Sequence, residues 1–164
     1  MTRIACFYVT LHPAAAASHP AGTELVPVSP ADEHAYWRGL RARWDGTGDL
    51  LVLEQDIEIH AGVTAQLADC PSPWCTFPYL PHSWGNPRLD VTGNADRAAA
   101  AGALCRSLGC ARFTAALQRA VPLPAGPVPW QHCDAVIAGT LAAAGIPACL
   151  HEPWVTNHHW TAAG

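Results

Sequence analysis

The stretch that most constrains this chain is residues 50–60, Leu-Leu-Val-Leu-Glu-Gln-Asp-Ile-Glu-Ile-His. Leu50 to Leu53 form an unbroken apolar run directly after the turn-forming Asp45-Gly46-Thr47-Gly48. A short apolar run bounded by a turn is the pattern of a strand covered on both faces, which requires layers on either side of a sheet. The run then meets Glu54 and Asp56. At i, i+2 in extended backbone their carboxylates share one face and Ile57 takes the other. Unpaired buried carboxylates are costly, and a divalent cation removes that cost; oxygen-only ligands suit Mg²⁺ or Mn²⁺. Ligand sites of open α/β sheets lie at this carboxyl end of the strands. The plainer alternative is that Glu54, Asp56 and Glu58 are the solvated face of an edge strand.

The flanking sequence supplies an α/β pattern. Arg3 to Leu11 is rich in β-formers and reads as a first strand, followed by a Pro/Ala/Gly loop over 12–28 that is expected to be mobile. Ser29-Pro30-Ala31-Asp32 predicts a helix start, with Trp37, Leu40 and Trp44 as its buried stripe. Arg38 and Arg41 lie on another face of that helix, either solvated or facing a diphosphate. Val63 to Ala68 reads as a short helix and Trp74 to Phe77 as a strand. Residues 80–94, with Pro81, Gly85, Pro87 and Gly93, read as a long loop of the lid type, and Ala95 to Ala103 as helical. Leu104 to Phe113 reads as strand-like, with Gly109 marking a close backbone approach. Thr114 caps a helix to Ala120, a further helix opens at Trp130 to Asp134 and stops at Gly145, and Ala148 to His151 reads as a last strand. The tail ends in Asn157-His158-His159-Trp160.

The 164 residues suit one domain with a substantial core, and 50% hydrophobic with 13% charged residues is a globular composition. All nine basic residues are Arg and the net charge is −4, which does not support a nucleic-acid partner. Residues 3–17 superficially resemble a signal peptide, but the single charge of Arg3 and the His12-Pro13 interruption favour a core strand. No stretch approaches the roughly 20 apolar residues of a membrane span. The seven cysteines are odd in number and scattered, unlike a secreted disulfide framework. Cys70-x4-Cys75 and Cys105-x4-Cys110 offer a four-thiolate zinc site, or plain core residues. Hydrolase signatures of the Gly-x-Ser-x-Gly and His-Glu-x-x-His types are absent.

The order strand, helix, strand ending in Glu-x-Asp, helix, strand, long loop, glycine segment, helix, Asp-led helix, strand, His-rich tail resembles glycosyltransferases of the GT-A fold. The likeness is greatest to the lipooligosaccharide-type and related bacterial or phage sugar transferases, in a compact version. Leu51-Val52-Leu53-Glu54-Gln55-Asp56-Ile57 resembles their metal-binding acidic motif, and Leu108 to Leu117 their glycine segment beside the sugar donor. His132-Cys133-Asp134 resembles the segment that supplies an acceptor-side carboxylate. The resemblance implies a single GT-A-like domain over 1–164, a mixed, mostly parallel sheet flanked by helices, and a cytoplasmic enzyme. It implies a nucleotide-sugar donor, a hydroxyl acceptor and Mn²⁺ or Mg²⁺ as cofactor. Glu54, Asp56 and the late His158 become metal ligands. Asp134 becomes the general base, or else simply a cap of its helix. Arg38, Arg41, Gly109 and Cys110 would contact the donor, and Trp84 and Trp154 would stack on a sugar or lie buried. His60 and His151 are expected to be satisfied structural histidines. Only about fifty residues precede the acidic motif, few for binding a nucleotide base, so a non-catalytic nucleotide- or glycan-binding domain is the main alternative. A zinc-stabilised interaction domain is another.

Overall fold

A computed structural model describes residues 2–79 and 108–158. Its centre is the anticipated strand, β3 (Asp49–Glu54), in which Leu50 to Leu53 are all buried. Around it, β1 (Thr2–Tyr8), β2 (Glu24–Pro27), β5 (Trp74–Thr76), β6 (Cys110–Phe113) and β7 (Cys149–Leu150) complete a six-stranded sheet of order β2-β1-β3-β6-β5-β7. β6 runs antiparallel to both its neighbours, and every other pairing in this sheet is parallel. The fold class is thus the expected mixed, mostly parallel α/β sheet flanked by helices.

Strand alternation divides the core in two. Leu50 and Val52 face Trp37 and Leu40 of α2 (Ala35–Arg43), Leu117 of α4 (Ala115–Ala120), and Ile137 and Leu141 of α5 (Cys133–Ala143). Leu51 and Leu53 face the other way, toward Val63 and Leu67 of α3 (Val63–Asp69), Phe77 and Cys110. This is why the run carries no polar residue until its end.

Local signals place the helix ends. Thr114 caps α4, its hydroxyl accepting from the Leu117 N–H at 3.2 Å. α5 stops at Gly145, whose φ of +74° is the left-handed conformation glycine adopts freely, and the Ile146 N–H returns to Leu141 O at 2.9 Å. α2 begins at Ala35, later than Ser29-Pro30 suggests. Ser29 to Asp32 close a separate turn, and the Asp32 carboxylate then accepts the His34 N–H at 3.1 Å. Gln118 on α4 fixes the turn into β3 from within the core. Its Nε2 donates to Gly48 O and Phe113 O, and its Oε1 accepts from the Gly46 N–H.

Two expectations change. The segment 12–28 is no loop: it holds α1 (Pro13–Ser18) and the edge strand β2. Pro13 opens α1, the Ala14 to Ala17 tract has the highest helix propensity, and His12 Nδ1 accepts from the Ala14 N–H. The chain also does not stay extended past Glu54. It turns at Gln55-Asp56 into β4 (Ile57–Glu58), which pairs with β8 (Thr156–Asn157) of the tail as a two-stranded ribbon. The lid-type loop 80–94 and the helix at Ala95 to Ala103 lie outside the described residues. Among the described residues no helix is long and apolar enough to cross a membrane.

Candidate carboxylate site

The sheet order itself opens a crevice. From β1 the chain passes through α1 to β2 on one side, then returns through α2 to β3 on the other side of β1. Adjacent parallel strands whose connections leave in opposite directions part at their carboxyl ends, and ligands of open sheets bind there. Glu54 is the last residue of β3 at that place. Gln55 fastens the two strand ends together: its Oε1 accepts from the Val9 and Thr10 N–H groups at 2.6 and 3.0 Å, and its carbonyl from the His12 N–H at 2.9 Å. That clamp makes the chain turn, so Glu54 and Asp56 do not share one strand face.

Glu54 is half-buried and held by two tyrosines. Tyr36 of α2 donates to Oε1 at 3.1 Å, and Tyr79 approaches Oε2 at 3.5 Å. Segment 108–109 brings a second acid alongside. Gly109 O accepts the Glu54 N–H at 3.1 Å, and the Leu108 N–H donates to the carboxylate of Asp134, in the first turn of α5. Gly109 is where the sequence marks a close approach, and the reason is steric. A Cβ there would lie 2.4 Å from the Tyr79 ring.

The charges of these acids are felt in common. Burial above all, then the charges of Asp134 and Asp56, raise the Glu54 pKa, against the opposing tyrosine hydrogen bonds. Burial raises Asp134 too, against the Leu108 N–H. Tyr36 is raised well above its ordinary value by burial and then by Glu54 and Asp134. On the opposite side of β1, burial followed by Glu54 and Asp56 pushes the Cys6 thiol up to about 12. Glu54, Asp56 and Asp134 therefore form one acidic patch, assembled from a strand end, a turn and a helix start. Tyr36 and Tyr79 are the parts sequence reasoning missed. The signal was present for Tyr36, which lies beside Trp37 on an inward helix face, where a buried hydroxyl needs a partner.

The other predicted residues are placed as follows. His158 donates its backbone N–H to Asp56 O at 2.7 Å, but its ring turns to Glu58, with Nε2 2.6 Å from Oε2, and stacks on His12 at 4.4 Å. Arg38 pairs with Asp32, and Arg41 donates to Ala125 O at 2.9 Å; both are exposed. Cys110 is fully buried, and burial raises its thiol pKa. Trp154 is half-buried, whereas Trp84 and His159 lie outside the described residues. His60 is satisfied, Nδ1 accepting from the Gly62 N–H and Nε2 3.2 Å from Pro153 O. His151 is not, because its Nε2 is buried without a hydrogen-bond partner.

No family model and no curated protein sequence matches this chain. Among solved structures, the chain is similar to one described as a glycosyltransferase involved in the glycosylation of the major capsid of PBCV-1. The identity is 12% and the TM-score 0.45, over 99% of this chain and 96% of that one. A likeness at that level says nothing of this chain's chemistry.

Proposed function

We propose that the chain is a metal-dependent glycosyltransferase that moves a sugar from a nucleotide-sugar donor to a hydroxyl acceptor. The observation that carries this reading is the patch of Glu54, Asp56 and Asp134 at the sheet's switch point, where burial raises the pKa of Glu54 and of Asp134 and the charges of Asp134 and Asp56 raise that of Glu54 further. Acids arranged in this way bind either protons or a cation.

Glu54 and Asp56 are suited to hold Mn²⁺ or Mg²⁺. Each Glu54 oxygen accepts one tyrosine hydroxyl and keeps a second lone pair, and its raised proton affinity reflects burial first and then the negative charge of Asp134 and Asp56, both of which a cation would offset. His158 fits this set poorly, since its ring is engaged by Glu58 and His12. When bound, the ion supplies stabilisation of the charge that develops on the leaving diphosphate. Asp134 takes the proton of the acceptor hydroxyl. A carboxylate with a raised pKa is a stronger base near neutrality, and the Leu108 N–H orients it. The two tyrosines hold Glu54 against rotation.

The test combines binding with turnover. Nucleoside diphosphate sugars should raise the Tm only when Mn²⁺ or Mg²⁺ is present, and Asp56→Ala should abolish that rise. Asp134→Asn should lower kcat by about 10²–10⁴-fold, the range for a general base, while keeping the metal-dependent Tm rise. Binding without any product from a labelled donor would leave a nucleotide-binding domain in place of an enzyme. If no nucleotide stabilises the protein in a metal-dependent way, the proposal fails.

A further inference from the structure

A second group of ligating side chains lies at the far edge of the sheet and shares no residue with the carboxylates. The sulfurs of Cys70 and Cys75 and a ring nitrogen of His151 all lie within 4.8 Å of one another. Cys149 Sγ is 3.9 Å from Cys70 Sγ. We propose that Cys70, Cys75, Cys149 and His151 bind a structural zinc ion.

The geometry of the sheet builds the set. β5 and β7 are parallel neighbours with Cys75 opposite Cys149, and the His151 N–H bonds to Thr76 O at 3.0 Å. Residues two apart on extended chain share a face, so Cys149 and His151 lie on the side of Cys75. Cys70, at the carboxyl end of α3, closes the group from above that face. The donor set is three sulfurs and one imidazole, a common composition of closed structural zinc sites.

Two features of the group are compatible with a metal. Zn–S bonds of about 2.3 Å at tetrahedral angles hold sulfurs about 3.8 Å apart, which the 3.9 Å separation matches. A disulfide needs about 2.05 Å, and the six described cysteines are free. The His151 ring, one of whose nitrogens joins this group, has Nε2 buried without a hydrogen-bond partner and stacks on Phe77 at 5.0 Å. The surroundings also suit bound thiolates. Arg112, 3% exposed, holds the loop that carries Cys70 through Cys70 O and Ser72 O at 2.8 and 2.7 Å. Three thiolates around a divalent ion leave one net negative charge, and the Arg112 guanidinium, which also pairs with Asp49 at 3.2 Å, is the cation beside it. Such an ion would tie β7, and the tail that follows it, to α3 and β5.

The experiment is metal analysis of the full chain purified under reducing conditions, followed by Co²⁺ exchange. About one zinc per chain is expected, with a sulfur-to-cobalt charge-transfer band and tetrahedral d–d bands on exchange. Cys70→Ser with Cys149→Ser should reduce bound zinc at least tenfold. Should that variant not fold, a chelator should lower the wild-type Tm and added zinc restore it. The proposal is overturned by absence of both zinc and the cobalt bands, by undiminished zinc in the double variant, or by a Cys70–Cys149 disulfide in the mass spectrum.

Discussion

The two ends of this sheet gather ligating groups in opposite ways. At the centre, Glu54 feels the charges of Asp134 and Asp56, yet the oxygens of the three do not all lie within 4.8 Å of one another. Among the described residues, the set whose ligand atoms lie within 4.8 Å is Cys70, Cys75 and His151 at the edge. The carboxylates are hard ligands, Glu54 held by tyrosines and Asp134 by a backbone N–H. At the edge two thiols and an imidazole already lie together, and the Cys149 sulfur is 3.9 Å from that of Cys70. Catalytic metal sites keep a position open, and structural ones are closed. Under the two proposals, turnover belongs to the switch point and rigidity to the edge.

The variant expected to do most damage separates the two ends. Arg112→Leu leaves the carbonyls of Cys70 and Ser72 unbonded and removes the ion pair of Asp49, 3.2 Å away. Asp49 is partly exposed and keeps the Ala115 N–H, so the main cost is the two carbonyls left unbonded, about 1–3 kcal/mol each. Urea unfolding should show a loss of that size, and metal analysis should show zinc lost with it. A loss under about 1 kcal/mol with zinc retained would mean that Arg112 does not organise the edge.

The next largest effect belongs to the centre. In Gly109→Ala the new Cβ would lie 2.4 Å from the Tyr79 ring, so Tyr79 must leave Glu54. Overpacking of this kind costs about 1–3 kcal/mol. Thermal unfolding should show that loss and a weaker metal-dependent nucleotide shift, with zinc content unchanged. If zinc falls in parallel, the two ends are not independent.

What was legible in the sequence follows the same division. β3, the helices with caps or a glycine stop, and Glu54 at a strand end could be read because each rests on residues close in sequence. Gly109 was legible as a close approach, though not the ring that approaches it. The pairing of Glu54 with Asp134 through residues 108 and 109 spans the chain, so only the family resemblance brought the two into one picture. α1 was hidden because alanine and proline read as loop composition, although Pro13 ahead of an alanine tract is a helix start. The two-residue strands β4 and β8 are too short to show a period. For the edge cluster, the paired x4 spacings pointed Cys70 and Cys75 toward Cys105 and Cys110. The informative signal was Cys149-x-His151, which on a strand places a thiol and an imidazole on one face. Its partners depend on Cys75 lying opposite Cys149, a register no local pattern encodes.

The smallest effect tests the sign of the contrast. The raised pKa of Glu54 means that the folded state binds its proton more tightly than the unfolded chain does. The stability this gives is fully present below the ordinary value of 4.5 and is lost as pH rises through the raised one. Thiolates on zinc act oppositely, since the unfolded thiols carry the protons and stability climbs with pH. Tyr36→Phe isolates the first contribution. It keeps the ring against Phe7, 4.7 Å away, and removes one donor to Glu54. That hydrogen bond favours the ionised acid, so its loss raises the Glu54 pKa further. The cost of the substitution, about 0.5–1.5 kcal/mol for one hydrogen bond, should therefore grow between about pH 5 and about pH 8 in urea unfolding. Saturating Mn²⁺ should flatten the wild-type decline by taking the proton's place. A cost that shrinks with rising pH would mean that Tyr36 serves the protonated acid, and the centre would then be a neutral hydrogen-bonded core rather than a site awaiting a cation.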